Sequence, residues 1–228
     1  MRNEIKTGII FAFITAIISG FSIFYNKSVI VSGIDPLIFN IIKNGGVALI
    51  LSIFLLLLPN RNKYFSISSS SWIKLFLIGV IGGSIPFILF FSGLKETAAT
   101  NANIIQKSLF IWVTIMALPI LSEKLNLWQT AGYIIVAWSN LFLGGFSNFA
   151  FNRGELLILA ATLFWSIEYI IAKITLKSVD YKVVAWGRMA IGAVILIFIA
   201  LIQNKLYLLA KSKSRLSWAG TAITAPPP

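Results

Sequence analysis

The chain contains no cysteine and no histidine. The first absence removes any disulfide framework and any thiolate metal site, and leaves the redox compartment undetermined. The second excludes His-zinc chemistry and any nucleophile that relies on an imidazole base. Charge is scarce as well: Asp, Glu, Lys and Arg make up 11% of the residues and hydrophobic residues 58%, against about a quarter and a half in an ordinary soluble domain. That is too little charge to coat a globule, so the solvent of this chain is expected to be largely lipid. Acid is the rarer sign, with seven Asp and Glu against nineteen Lys and Arg. The two aspartates, Asp35 and Asp180, fall between apolar runs, which excludes a paired intramembrane aspartyl site.

Long apolar runs are what the sequence has in quantity. They lie at about 8–25, 36–58, 72–93, 98–121, 127–146, 155–176 and 182–202. Each is close to the roughly 20 residues a membrane helix needs, and too long for barrel strands of about 10 residues. The first run follows Arg2 and Lys6, but it is long and no small-residue cleavage site follows before Lys27. It reads as a retained helix and not as a signal peptide. The net charge of +12 is scattered between spans rather than gathered on one face, which speaks against nucleic acid. With the N-terminus cytoplasmic, nine basic residues fall on the inner side, among them Arg2, Lys74, Lys124, Lys173 and Lys182. Three fall outside: Lys27, Lys95 and Arg153. The positive-inside rule therefore favours that orientation. The basic residues after the seventh run, Lys205, Lys211, Lys213 and Arg215, fall on the other side.

The chain also repeats itself. "TGIIFAFITAIISGFSIFYNKSVIVSGIDPLIFNIIKNGGVALIL" aligns with "RGELLILAATLFWSIEYIIAKITLKSVDYKVVAWGRMAIGAVIL" at an offset of 145 to 146 residues. Gly8 meets Gly154, Lys27 meets Lys173, Asp35 meets Asp180, and Lys43 meets Arg188. Because charges are rare here, the charged matches carry the most weight. Five spans per unit is an odd number, so the second copy is expected to enter the membrane upside down, an arrangement found in secondary transporters. The correspondence continues to Ser217-Trp218 and then stops at "AGTAITAPPP". The expectation is a first unit at 7–146, a partial second unit at 153–218, and an aberrant tail at 219–228 from a truncated or frame-shifted frame or a fragment. A working protein of seven helices is the alternative.

The order of these motifs resembles the EamA type of the drug/metabolite transporter superfamily. The first helix and its loop resemble "GIIFAFITAIISGFSIFYNKSVIVSGIDPLIF". "KNGGVALIL" and "GRMAIGAVIL" resemble the basic opening of the second helix. "FFSGLKETAATNANIIQKSLFIW" resembles the small-residue opening of the fourth, and Glu123-Lys124-Leu125 the turn before the fifth. The resemblance covers 7–202 and departs from the family at Lys43, where arginine is usual, in lacking a proline midway along the fourth helix, and in the last three helices. It implies an all-α polytopic membrane protein of two inverted five-helix EamA repeats, the second incomplete, with about seven helices present. It implies a permease or exporter moving a small metabolite by alternating access, in the cytoplasmic membrane, without cofactor. Members of the superfamily move amino acids, nucleotide sugars, drugs and other metabolites.

Ionisable groups at lipid depth cost about 2.5–3.5 kcal/mol on insertion scales. Lys43 lies seven residues into its run, near 10 Å deep at ~1.5 Å per residue. It either snorkels to the headgroups or, as its place in the family pattern implies, faces a central cavity. Lys107 is at comparable depth beside Asn101, Asn103 and Gln106. Two ammonium groups at one level repel unless one is neutral or an anion lies between them, which favours an anionic or zwitterionic solute. The alternatives are bonds from Lys107 to backbone carbonyls and amides acting as interhelical glue. Glu168 is the one carboxylate well inside a run, with Arg188 at similar depth on the next. They form a structural ion pair or a proton-coupling site. Trp165, like Trp112, Trp138 and Trp186, either stacks on a ligand or packs. A membrane-embedded enzyme is disfavoured by the missing chemistry. A channel would be expected to show a filter or charged ring, and neither is evident; an inactive remnant or non-transporting subunit stays open, as does the oligomeric state.

Overall fold

The computed structural model describes residues 2–59, 61–122, 125–144 and 151–209. The Glu123-Lys124 turn and the tail at 219–228 lie outside them. Ten helices follow in order: α1 (Arg2–Val31), α2 (Pro36–Leu57), α3 (Arg61–Phe65), α4 (Ser69–Gly83), α5 (Ile85–Glu96), α6 (Ala99–Lys107), α7 (Leu109–Ile120), α8 (Leu127–Gly144), α9 (Arg153–Thr175) and α10 (Tyr181–Ile202). No strand occurs among the described residues. α4 with α5 and α6 with α7 each make one broken rod, so among the described residues six helical runs are long and apolar enough to cross a membrane. α8 occupies the fifth expected run, but Gln129, Thr130 and Asn140 dilute its apolar character and it is not among the six.

Local chemistry sets where the helices begin. Asp35 accepts the Leu37 amide at 2.9 Å, with Pro36 at the first helical position. Asp180 accepts the Lys182 amide at 2.8 Å. An aspartate cap and a proline at N1 each satisfy or remove a donor that the first turn leaves unpaired. The aspartates matched in the sequence repeat thus do the same job at the start of two 22-residue helices. Asn152 caps α9 in the same manner, accepting the Glu155 amide at 2.9 Å.

α2 and α10 run antiparallel. Asp35, at the start of α2, meets Lys205, just beyond the end of α10, at 3.0 Å. Trp186, near the start of α10, donates to Ser52 Oγ near the end of α2 at 2.8 Å. Lys205, whose charge fell on the wrong side of the sequence count, therefore has an acidic partner. The bundle has two ends. The Asp35 end gathers the starts of α2, α6 and α9 and the ends of α1 and α5: Lys27 donates to the Leu94 and Thr97 carbonyls, Arg153 meets Glu96 at 3.7 Å, and Asn101 donates to Glu155 at 2.8 Å. The Asp180 end holds the starts of α4 and α10 and the ends of α2 and α9, where Ser71 and Ser178 hydroxyls lie 3.5 Å apart and Lys182 sits over the Tyr64 ring at 5.2 Å.

The core lies where α9 and α10 pack on α2, α4 and α5, with Phe90, Phe91, Ile158 and Trp165 in one cluster and Leu75, Ile78, Val183 and Val184 in another. Glycine permits the closest crossing. A Cβ on Gly192 of α10 would stand 2.5–2.7 Å from the Gly83 backbone, so no side chain fits between these helices. α1 leaves Phe13, Phe21 and Phe24 exposed, the surface expected of a helix bathed in lipid.

Candidate functional site

The break between α4 and α5 organises the site. Pro86 has no amide proton to give the Gly82 carbonyl four residues back, and it stands in the first turn of α5. Two neighbouring helices supply what the backbone lost. The Trp165 indole of α9 donates to Gly82 O at 3.1 Å, and the Asn44 amide of α2 donates to Gly83 O at 3.1 Å. Ser84, with φ −130° and ψ −73°, turns its own hydroxyl to the Val80 carbonyl at 2.8 Å. Irregular backbone at membrane depth is tolerated only when its polar groups are satisfied in this way. The break pins α2 and α9 to the centre of the bundle.

Beside it lies a cavity of about 200 Å³ in the half of the bundle nearer the Asp35 end. α1 contributes Ser19, Ser22 and Asn26; α5 contributes Phe87, Phe90 and Phe91. Gln106 stands on α6, Trp165 and Tyr169 on α9, Lys43 on α2 and Arg188 on α10. Of the residues singled out in the sequence, Lys43, Gln106, Trp165 and Arg188 line this one space. Lys43 and Arg188 are each the eighth residue of their helices (36 to 43, 181 to 188). In antiparallel helices of equal length, that register brings both to the middle of the bundle.

Their partners differ. The Lys43 ammonium lies over the Phe91 ring, 5.3 Å from its centre, a cation–π contact. Arg188 faces Glu168, Nη2 to Oε2 3.4 Å, with the carboxylate almost fully buried. The pair is loose: Arg188 Nε and Glu168 Oε2 are both buried without a hydrogen-bond partner. Trp165 is 5% exposed, its ring edge-on to Phe87 at 5.3 Å and tilted to Phe90 at 5.5 Å. It serves the wall of the cavity and the broken helix together.

The other sequence candidates lie apart. Lys107 reaches Ser19 Oγ at 3.4 Å, one step behind the lining. Asn101 is held by Glu155 at the Asp35 end. Asn103 buries its Oδ1 without a hydrogen-bond partner. Glu168 lines a second cavity of about 540 Å³ towards the Asp180 end, with Val113, Ala117, Leu176 and Tyr181 among its walls. Arg188 and Tyr169 line both cavities, so a layer one side chain thick divides them. Among the described residues no cluster of acids suits a metal ion.

The sequence reading missed the wall supplied by α1 and α5. Ser19, Ser22 and Asn26 recur at i, i+3 and i+7, and Phe87, Phe90 and Phe91 at i, i+3 and i+4. Each set marks one face of a helix.

Comparison with known proteins identifies the family. A family model described as the EamA-like transporter family matches residues 6–144 and again 152–225. An uncharacterized transporter of Methanothermobacter thermautotrophicus is 26% identical over 142 residues, 60% of this chain and 41% of that protein. The uncharacterized transporter YoaV of Bacillus subtilis is 25% identical over 172 residues, 72% of this chain and 57% of its own length. The chain thus matches about half the length of these curated relatives. No solved structure matches. With two stretches fitting the same family model over most of its length, the chain is an integral membrane protein that belongs to the EamA-like transporter family.

Proposed function

We propose that this chain forms the pathway of a secondary transporter that carries a small anionic or zwitterionic metabolite through alternating access between two inverted units, 7–146 and 153–218, with the N-terminus in the cytoplasm. The observation that carries the reading is the meeting of Lys43 and Arg188 in one cavity. Charge at this depth is expensive and marks a substrate or ion path by default. Here two cations arrive from equivalent places on antiparallel helices, beside a discontinuous helix, which is where transporters of inverted-repeat design bind solute.

The two cavities suit the alternation. One lies towards each end of the bundle, and the Arg188–Glu168 pair with Tyr169 stands between them. A solute that binds Arg188 from one side competes with Glu168 on the other. Such differential binding is what allows a ligand to shift a conformational equilibrium.

The test compares the metabolites inside and outside cells that express the wild-type chain with those expressing Lys43→Met at equal membrane insertion. The expected result is at least one small anionic or zwitterionic metabolite whose distribution changes with the wild type and reverts in the variant. Identical profiles for the two would overturn the reading.

A further inference from the structure

The 200 Å³ cavity carries charge of one sign. Lys43 and Arg188 line it, and among the described residues no Asp or Glu does. Glu168, the acid that Arg188 faces, lines the opposite cavity. Glu155 is engaged by Asn101 at the Asp35 end. The Lys43 ammonium rests on the Phe91 ring face at 5.3 Å and keeps its hydrogen bonds to offer, whereas Arg188 is held by Glu168, loosely, at 3.4 Å. A charged donor without an acceptor in a partly buried site costs free energy, which an anion reaching Lys43 recovers.

The rest of the wall is of another kind. Phe87 presents ring surface with the buried Phe90 and Trp165 rings packed behind it, and the indole N–H is already engaged by Gly82 O at 3.1 Å. Gln106 adds a neutral amide to the lining, which cannot neutralise a charge. The volume falls below the roughly 300–1,000 Å³ of sites for drug-sized ligands, leaving room for one ring or short chain with a single acidic head.

We propose that the occupant is a small organic monoanion with an apolar or aromatic body and no amino group, an arylalkanoate in the simplest case. Its carboxylate lies between Lys43 and Arg188 and its ring against Phe87, with Phe90 and Trp165 behind. This rests on the transport reading and narrows it. An α-amino acid would bring an ammonium group into the company of two cations, where like charges at short range in a low dielectric repel. The carboxylate it would need as a partner is on the far side of Arg188.

Three probes differ only in their head groups: 3-phenylpropionate, phenylalanine and phenethylamine. Binding to the purified chain in lipid nanodiscs is read with radiolabelled 3-phenylpropionate and competition by the others. We expect saturable binding of 3-phenylpropionate, at least tenfold weaker competition by phenylalanine, and none by phenethylamine. Lys43→Met, checked as monodisperse, should weaken binding at least tenfold, and Lys43→Arg should restore it. Binding of phenylalanine as tight as that of 3-phenylpropionate, and sensitive to Lys43→Met, overturns the monoanion and leaves the transport reading standing. No binding of 3-phenylpropionate, or binding indifferent to Lys43→Met, overturns the proposal too, and the metabolite profiles then judge the transport reading by themselves.

Discussion

α2 and α10 make a natural comparison. Each is 22 residues long, each starts on an aspartate cap, and each places a cation at its eighth position. Yet Lys43 has an aromatic ring beneath it where Arg188 has a carboxylate. The difference comes from what reaches each cation: α5, packed on α2, brings Phe91 to Lys43, whereas Glu168 reaches Arg188 from α9, which shares with α10 its packing on α4. A cation on a ring keeps its hydrogen bonds to offer. A cation facing a buried acid is part of the structure before any solute arrives. The two ends of the cavity therefore hold an adaptable charge and a committed one.

The sharpest way to break this comparison is to delete each partner in turn. Glu168→Ala leaves Arg188 in a mostly buried site without its counter-charge. Removing one member of a buried pair costs about 3–5 kcal/mol, and the looseness of this contact, 3.4 Å without a hydrogen bond, puts the expected loss near the lower figure. Lys43→Met removes a cation–π contact worth about 0.5–2 kcal/mol but also relieves the desolvation of the ammonium, so the net change should stay within about 1 kcal/mol. Unfolding by denaturing detergent, followed by circular dichroism, measures both. Equal losses for the two variants would show that the cations are equivalent after all.

A smaller effect is expected at the helix break. Trp165→Phe keeps an aromatic ring in the Phe87–Phe90 cluster but removes the donor to Gly82 O together with part of the buried ring volume. A buried carbonyl left unpaired costs about 1–3 kcal/mol. The same detergent titration should show a loss in that range, and Trp112→Phe, whose indole bonds Ser108 on its own rod, should lose less. If Trp165→Phe is silent, the break does not depend on α9 for its satisfaction.

The sequence disclosed the spans because twenty apolar letters in a row have few other uses. It disclosed Lys43, Arg188 and Glu168 because charge in such runs is rare enough to be counted. The α4–α5 break was half legible: Pro86 announces a lost hydrogen bond, but nothing in one dimension says that Trp165, 79 residues later (165 − 86), restores it. The interruption at Ser108 has no proline to announce it and was missed. Depth alone misled at Lys107 and Asn101. Both belong to α6 at levels that looked right, but helix rotation turns one towards Ser19 and the other towards Glu155. Ser19, Ser22 and Asn26 escaped because small polar letters look unremarkable until their spacing is read as a face.

The smallest expected difference bears on the matched caps. Asp35→Ala and Asp180→Ala each remove a side chain that accepts an amide of the first turn, at 2.9 and 2.8 Å, and each should cost about 1 kcal/mol. Asp35 has a second duty, the 3.0 Å contact with Lys205, where the lysine is 37% exposed and the aspartate 23%. An ion pair so open to its surroundings adds between about 0 and 1 kcal/mol. Asp35→Ala should therefore be the costlier of the two by a few tenths of a kcal/mol, and the excess should vanish in a Lys205→Met background. An excess that survives there would mean that Asp35 steadies α2 through something other than the end of α10. The two aspartates would then be alike in sequence position and capping but not in what they join.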